Sequence, residues 1–221
     1  KLRSTHKMDI GKLTKISIFT ALVFVTTTII RVTIPATGGY FNFGESVIFA
    51  TAILFGPLVG GLSGGIGAAI ADAIGYPIFA PGTLIIKICE GAITGYVGNR
   101  IPPKTAMTFW RALSILLGVG LGTATYYIGI NYMAAFGNAL LDQITWAAVG
   151  VFLAAFIIFA SFKPQTETSW QTTAIILGGL AMVIGYFLYE NLLALIFPGL
   201  GIFAIGEIPA NIGQMLVGLT I

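Results

Sequence analysis

The sequence predicts an all-α polytopic membrane protein: about eight membrane helices in a single transmembrane domain over residues 1–221. Three observations predict it. Of the 221 residues 57% are hydrophobic and 9% charged, with a mean hydropathy of +0.95, which leaves too little charge to cover a soluble surface. Apolar runs near the length that crosses about 30 Å of hydrocarbon recur from end to end. Those runs are too long, and alternate too little, for barrel strands, so their backbone polar groups must be satisfied inside helices. The 29 glycines then argue for close helix packing and against disorder.

Residues 1–15 (KLRSTHKMDIGKLTK) form a basic tail, and the apolar run 16–32 behind it is too long for a removable signal peptide and lacks a small-residue cleavage site. It is read as helix one. Pro35 and Gly38-Gly39 end it, and residues 34–45 are expected to be a loop dipping inward. Residues 46–55 are only about ten apolar positions, roughly 15 Å of helix, half a hydrocarbon core. Gly56-Pro57 turns the chain into helix three, with Pro57 suited to a helix start. That helix runs to about residue 74. Residues 75–82 (GYPIFAPG) are expected to be non-helical, and helix four to cover 83–97. Further spans are read at 107–133, 138–162, 172–197 and 208 to the end, with Pro164 and Pro198 between them.

The stretch from Gly39 to Gly98 organises the rest. Gly56, Gly60, Gly64, Ala68 and Asp72 recur every fourth residue, and Gly61, Gly65, Ala69 and Ala73 line the next stripe. Two adjoining rows without bulky side chains let neighbouring backbones approach closely, as helices associate in lipid.

With the N-terminus inside and eight crossings, nine of the eleven basic residues (Lys1, Arg3, Lys7, Lys12, Lys15, Arg100, Lys104, Arg111, Lys163) fall on the cytoplasmic side. The positive-inside rule therefore places both termini in the cytoplasm of a prokaryotic cell membrane. Arg31 and Lys87 lie on the other side, with Glu45, Asp72, Glu90, Asp142, Glu190 and Glu207. The pI near 9.0 thus reflects topology and does not suggest a nucleic-acid partner. Charges within spans mark a site or pathway by default. For Asp72 and Lys87 a structural ion pair is the plainer alternative, and Lys87 with Glu90, three apart, can also pair along one helix. Tyr40, Phe41, Phe43, Tyr76, Phe79, Tyr186 and Tyr189 share this outer level, where an interfacial aromatic belt is the competing reading.

Enzyme and metal readings find little support. The single histidine, His6, sits in the basic tail, Cys89 has no cysteine partner, and there is neither a Gly-x-Ser-x-Gly elbow nor a Gly-x4-Gly-Lys-Ser/Thr phosphate loop. No cofactor or metal is expected. A stand-alone secondary transporter of a small polar solute remains an alternative, although no Gly/Pro-interrupted helix pair stands in clear inverted repeat.

The run GGYFNFGESVIFATAILFGPLVGGLSGGIGAAIADAIGYPIFAPGTLIIKICEG resembles the first-half signature of the substrate-binding S components of energy-coupling factor (ECF) transporters, in their riboflavin-transporter-like and hydroxymethylpyrimidine-like branch. GYFLYEN and IPANIGQMLVG resemble that branch's closing helices. The resemblance implies six helices that bind a water-soluble vitamin or precursor (riboflavin, a hydroxymethylpyrimidine or thiamin-related compound, or a pyridoxine-like one) from outside, with the loop after helix one closing over it. It implies as partners an ECF transmembrane coupling subunit and two ATPase subunits. By the same resemblance the site would comprise Tyr40, Asn42, Glu45, Lys87, Glu90, Tyr189, Glu190, Asn191, Asn211 and Gln214, and Ser17-xxx-Ala21 would stand for the docking motif, which in the family is Ala-xxx-Ala. Amides and carboxylates offer directed hydrogen bonds and the tyrosines can stack a flat ring, although Asn42 as a turn former is an equal alternative. Against this pattern residues 107–162 read as an inserted helical hairpin, with TYYIGIN echoing GYFLYEN.

Overall fold

The computed structural model describes residues 9–29, 31–34, 39–100, 104–132, 137–162 and 166–220. His6, the basic residues Lys1, Arg3, Lys7 and Lys163, and the breakers Pro35, Gly38 and Pro164 lie outside the described residues. Among the described residues the chain forms α1 (Ile10–Ile29), a β-hairpin of β1 (Arg31–Ile34) and β2 (Gly39–Asn42), α2 (Gly44–Phe55), α3 (Pro57–Gly75), α4 (Ala80–Gly98), α5 (Lys104–Tyr132), α6 (Ala139–Ser161), α7 (Thr166–Ile196) and α8 (Ala204–Thr220). A single 3-10 turn at Pro198–Leu200 precedes α8. Five helices contain stretches long and apolar enough to cross a membrane: α1, α3, and Arg111–Tyr132, Ala139–Phe159 and Trp170–Ile196 of α5, α6 and α7. Among the rest, α4 carries Lys87 and Glu90 within its length, and α2 is as short as its apolar run.

The expected boundaries shift in three places, each for a local reason. Helix one stops at Ile29, because Arg31–Ile34 pairs antiparallel with Gly39–Asn42, Arg31 opposite Asn42 and Thr33 opposite Tyr40. The expected loop is therefore partly a hairpin. Strand alternation puts Arg31, Thr33, Tyr40 and Asn42 on one face and Val32 and Phe41 on the other. Next, α4 begins at Ala80, with Pro81 in its first turn, where a missing N–H leaves no intrahelical bond unmade. Third, α7 and α8 begin ahead of the expected residues, α8 holding Pro209 inside its own span. The expected N-terminus of the sixth helix holds: the Asn138 side chain accepts from the backbone N–H groups of Leu140 and Leu141 and caps α6.

Each glycine row of α3 has its own partner. A Cβ on Gly64 would lie 3.0 Å from Ile48 of α2, one on Gly61 2.9 Å from the Ile88 carbonyl of α4, and one on Gly67 2.6 Å from the Thr20 carbonyl of α1. Helix α3 is thus the hub that α1, α2 and α4 pack around. From the other side a Cβ on Gly91 would lie 2.6 Å from the Gly60 carbonyl, so α3 and α4 approach backbone to backbone. Helix α7 lies on α4, and the Trp170 indole N–H donates to the Val97 carbonyl at 2.7 Å. Helices α5 and α6 pack mainly on each other and join the core where Leu153 and Ile157 meet Ile176, Met182, Ile212 and Met215.

Candidate functional site

Polar side chains on α4 and α8 follow one spacing. Thr83, Lys87 and Glu90 on α4, and Glu207, Asn211 and Gln214 on α8, stand at i, i+4 and i+7, which is one helix face. Tyr186 and Glu190 on α7 stand at i and i+4, and α3 contributes Asp72. All of these are buried or partly buried, and an intramembrane polar face has to find partners inside the bundle. The faces converge beneath the hairpin, whose polar side adds Tyr40 and Asn42.

Three bonded groups result. In the first, the Tyr40 hydroxyl donates to Asp72 Oδ1, Thr83 donates to Asp72 Oδ2 at 2.5 Å, and the Tyr186 hydroxyl donates to Thr83 at 3.1 Å. Burial, and then the charge of Asp72, holds the Tyr40 phenol above its ordinary range, so it stays a donor at neutral pH. The Arg31 guanidinium lies over the Tyr40 ring at 4.4 Å and the Tyr76 ring at 5.2 Å, and donates to the Ala71 carbonyl at 3.3 Å. Cation–π contact and hydrogen bonds thus pin the hairpin to the end of α3.

In the second group Lys87, fully embedded, meets Glu45, then Glu90 at 2.9 Å and the Met182 sulfur at 2.8 Å. The expected pairing of Lys87 with Glu90 is present. That of Asp72 with Lys87 is not: Lys87 pairs with Glu45 and Glu90, because α2 brings Glu45 over α4, while Asp72 is held by two hydroxyls. In the third, Gln214 Oε1 accepts from the Asn42 backbone N–H at 3.1 Å and from its side-chain amide at 2.5 Å, and Gln214 donates to Asn211 at 3.1 Å. Asn42 Oδ1 also accepts from Gly44 N–H at 2.7 Å. Asn42 is therefore both a turn former at the start of α2 and the tie between hairpin and α8.

These groups wall a cavity of about 40 Å³. Of the residues expected at the site, Tyr40, Asn42, Glu45, Lys87, Glu190, Asn211 and Gln214 line it. Glu90 sits behind Lys87. Tyr189 and Asn191 stand apart: the Tyr189 hydroxyl donates to the Ile78 carbonyl at 2.7 Å, and exposed Asn191 donates to the Phe187 carbonyl of its own helix at 2.6 Å. Four further residues line the pocket: Asp72, Phe79, Tyr186 and Glu207. The i, i+4, i+7 pattern was the signal for Glu207; Phe79 and Tyr186 stood among the outer-level aromatics, and Tyr186 also lies one turn before Glu190. On α1, Ser17 and Ala21 are exposed on the face turned away from α3.

A family model described as "ECF-type riboflavin transporter, S component" matches residues 7–162. The matched residues include α5 and α6, while α7 and α8 lie beyond them. A curated protein of Pyrococcus woesei, described as "Uncharacterized protein in gap 3'region", is 48% identical over 139 residues, which is 58% of this chain and 88% of that protein.

Proposed function

Because the chain belongs to the family of ECF-type riboflavin transporter S components, we propose that its pocket beneath the hairpin is the binding site for one vitamin, captured from outside the cell at high affinity. The family supports a substrate-binding subunit of a vitamin-uptake system, and on this reading its partners are the membrane and ATPase components of the ECF module. The observation that carries the reading is the pocket itself: five buried acidic or amide side chains from α2, α7 and α8, among them Glu190 and Asn211, converge under a hairpin within a bundle of apolar helices. Such groups are costly in a membrane interior unless they serve a ligand or each other. The aromatic rings of Tyr40, Phe79 and Tyr186 add flat apolar wall, the mixture that suits a heterocycle with a polar edge.

A cavity of about 40 Å³ is smaller than the roughly 150 Å³ that takes up a benzene ring, so binding on this reading requires the hairpin to lift. Its ties to the helices are few and polar: Tyr40 to Asp72, Asn42 to Gln214, and Arg31 over the end of α3. Coupling would use the opposite region, the exposed Ser17 and Ala21 stripe of α1. The positive-inside count supports both termini in the cytoplasm, which opens the hairpin end to the outside. Denaturing the purified protein and analysing the released small molecules by mass spectrometry tests the function. A water-soluble vitamin near one per chain is expected; no small molecule, together with no binding across a panel of vitamins, would remove the proposal.

A further inference from the structure

The donors and acceptors on the pocket wall are unequally engaged. The Tyr40 and Tyr186 hydroxyls, the Lys87 ammonium and the amides of Asn42 and Gln214 all donate to protein acceptors. Two acceptors on the same wall have no partner among the described residues: Glu45 Oε2 and Glu190 Oε2, on residues 1% and 4% exposed. Glu207 lines the same pocket as Glu190, so two carboxyl groups share this side of the wall. A buried acceptor without a donor carries its full desolvation cost, and more so when charged. What completes this wall is therefore positive charge and N–H groups.

We propose, resting on the S-component reading of the pocket, that the Glu190 and Glu207 side of it selects an aromatic heterocycle bearing an amino group or a positive charge, over a neutral flavin-type ring. An isoalloxazine ring edge presents a single N–H between two carbonyl oxygens that would face the carboxylates, and the ribityl hydroxyls of riboflavin offer neutral donors only. An aminopyrimidine or a ring amine presents N–H groups to Glu190, and a charge-assisted bond of that kind is roughly twice as strong as a neutral one. The Asn211 amide nitrogen, whose oxygen already accepts from Gln214, can meet a ring nitrogen beside such an amine. The rings of Tyr40, Phe79 and Tyr186 stack either ligand, so they do not discriminate; the carboxylates do.

Calorimetric titration of the full chain in detergent with thiamine, pyridoxamine and riboflavin tests this, on the parent protein and on Glu190→Gln. The expected result is that thiamine or pyridoxamine binds at least tenfold more tightly than riboflavin, and that Glu190→Gln weakens that amine at least tenfold while changing riboflavin less than threefold. Should Glu190→Gln not fold, Glu207→Gln is expected to shift the same ligand in the same direction. Riboflavin binding more tightly than both amines, or a Glu190→Gln variant that holds the amine as tightly as the parent, would overturn the selectivity while leaving the vitamin-binding function in place. If none of the three binds, the selectivity falls, and the wider vitamin panel then decides whether the function falls with it.

Discussion

In the α5 and α6 hairpin a Cβ on Gly122 would lie 2.5 Å from the Gly150 carbonyl; between α3 and α4 one on Gly91 would lie 2.6 Å from the Gly60 carbonyl. Both pairs thus bring backbones together through glycine, as lipid-embedded helices do. They part in what lies beside the contact. The groove along α5 and α6 is lined by Val119, Gly122, Thr123, Tyr126, Ala147, Gly150, Val151 and Ala154, and is almost wholly apolar. Beside α3 and α4 stand Asp72, Lys87 and Glu90, all buried, and among the described residues neither α5 nor α6 supplies one to the pocket wall. Close packing is therefore a general device of this bundle, and function depends on which close pair has polar faces to bury next to it.

The largest expected effect breaks the polar side of that comparison. Lys87→Met leaves Glu45 and Glu90 buried without their cation, a loss of about 3–5 kcal/mol for a broken buried pair, and chemical or thermal unfolding in detergent should show it as the least stable single variant. A Lys87→Met protein as stable as the parent would mean the two carboxyls need no counter-charge. Second come the glycines. Gly61→Leu and Gly64→Leu, which force a branched side chain against α4 and α2, should each cost about 1–3 kcal/mol from overpacking and weaken vitamin binding, since the pocket-bearing helices move apart. Gly122→Leu should cost a similar amount in the melting profile yet leave vitamin affinity within threefold; equal loss of affinity in Gly122→Leu and Gly61→Leu would erase the distinction between the two pairs.

More local effects sharpen it. Tyr40→Phe removes the hydroxyl that donates to Asp72, about 1.5–3 kcal/mol for a bond to a charged group, and hydrogen exchange should then rise in β2 while the α5 and α6 amides stay unchanged. Unaltered exchange in β2 would show that the ties of Arg31, Thr33 and Asn42 hold the hairpin without the Tyr40 hydroxyl. The smallest change in the isolated chain is expected from Ser17→Trp and Ala21→Trp on the exposed side of α1: stability and binding within experimental error, but ATP-driven uptake abolished in vesicles carrying the whole transporter. Uptake at the parent rate with either tryptophan would move the docking face elsewhere.

Several residues made themselves legible before any coordinates. The two rows Gly60/Gly64 and Gly61/Gly65 are separate stripes in the sequence and separate contacts in the fold, because a 3.6-residue period assigns a face to every position whatever packs there. Ionisable and amide side chains within spans pointed to a site because they are costly there, and Glu45, Lys87, Glu190, Asn211 and Gln214 line one pocket. The pairing was not legible. Asp72 and Lys87, equidistant from one turn, were natural partners along the chain, yet Glu45 reaches Lys87 from α2 and leaves Asp72 to Tyr40 and Thr83. Tyr189 and Glu190, adjacent in sequence, face apart, since neighbours on a helix stand about 100° from each other.

The sequence by itself determined the solvent, the helical class and the hub helix, since these follow from composition and period, which are properties of the chain taken one segment at a time; the expected site residues came from the family resemblance. Only the tertiary structure decided which carboxylate meets Lys87, that Arg31–Ile34 pairs with Gly39–Asn42 in a sheet tied down by Asn42 and Gln214, and that Tyr186 and Glu207 complete the wall. Those outcomes turn on the rotation and depth of each helix against its neighbours. At 2.3 Å of backbone radius and 8–10 Å between helix axes, a few ångströms of displacement are enough to exchange one buried partner for another.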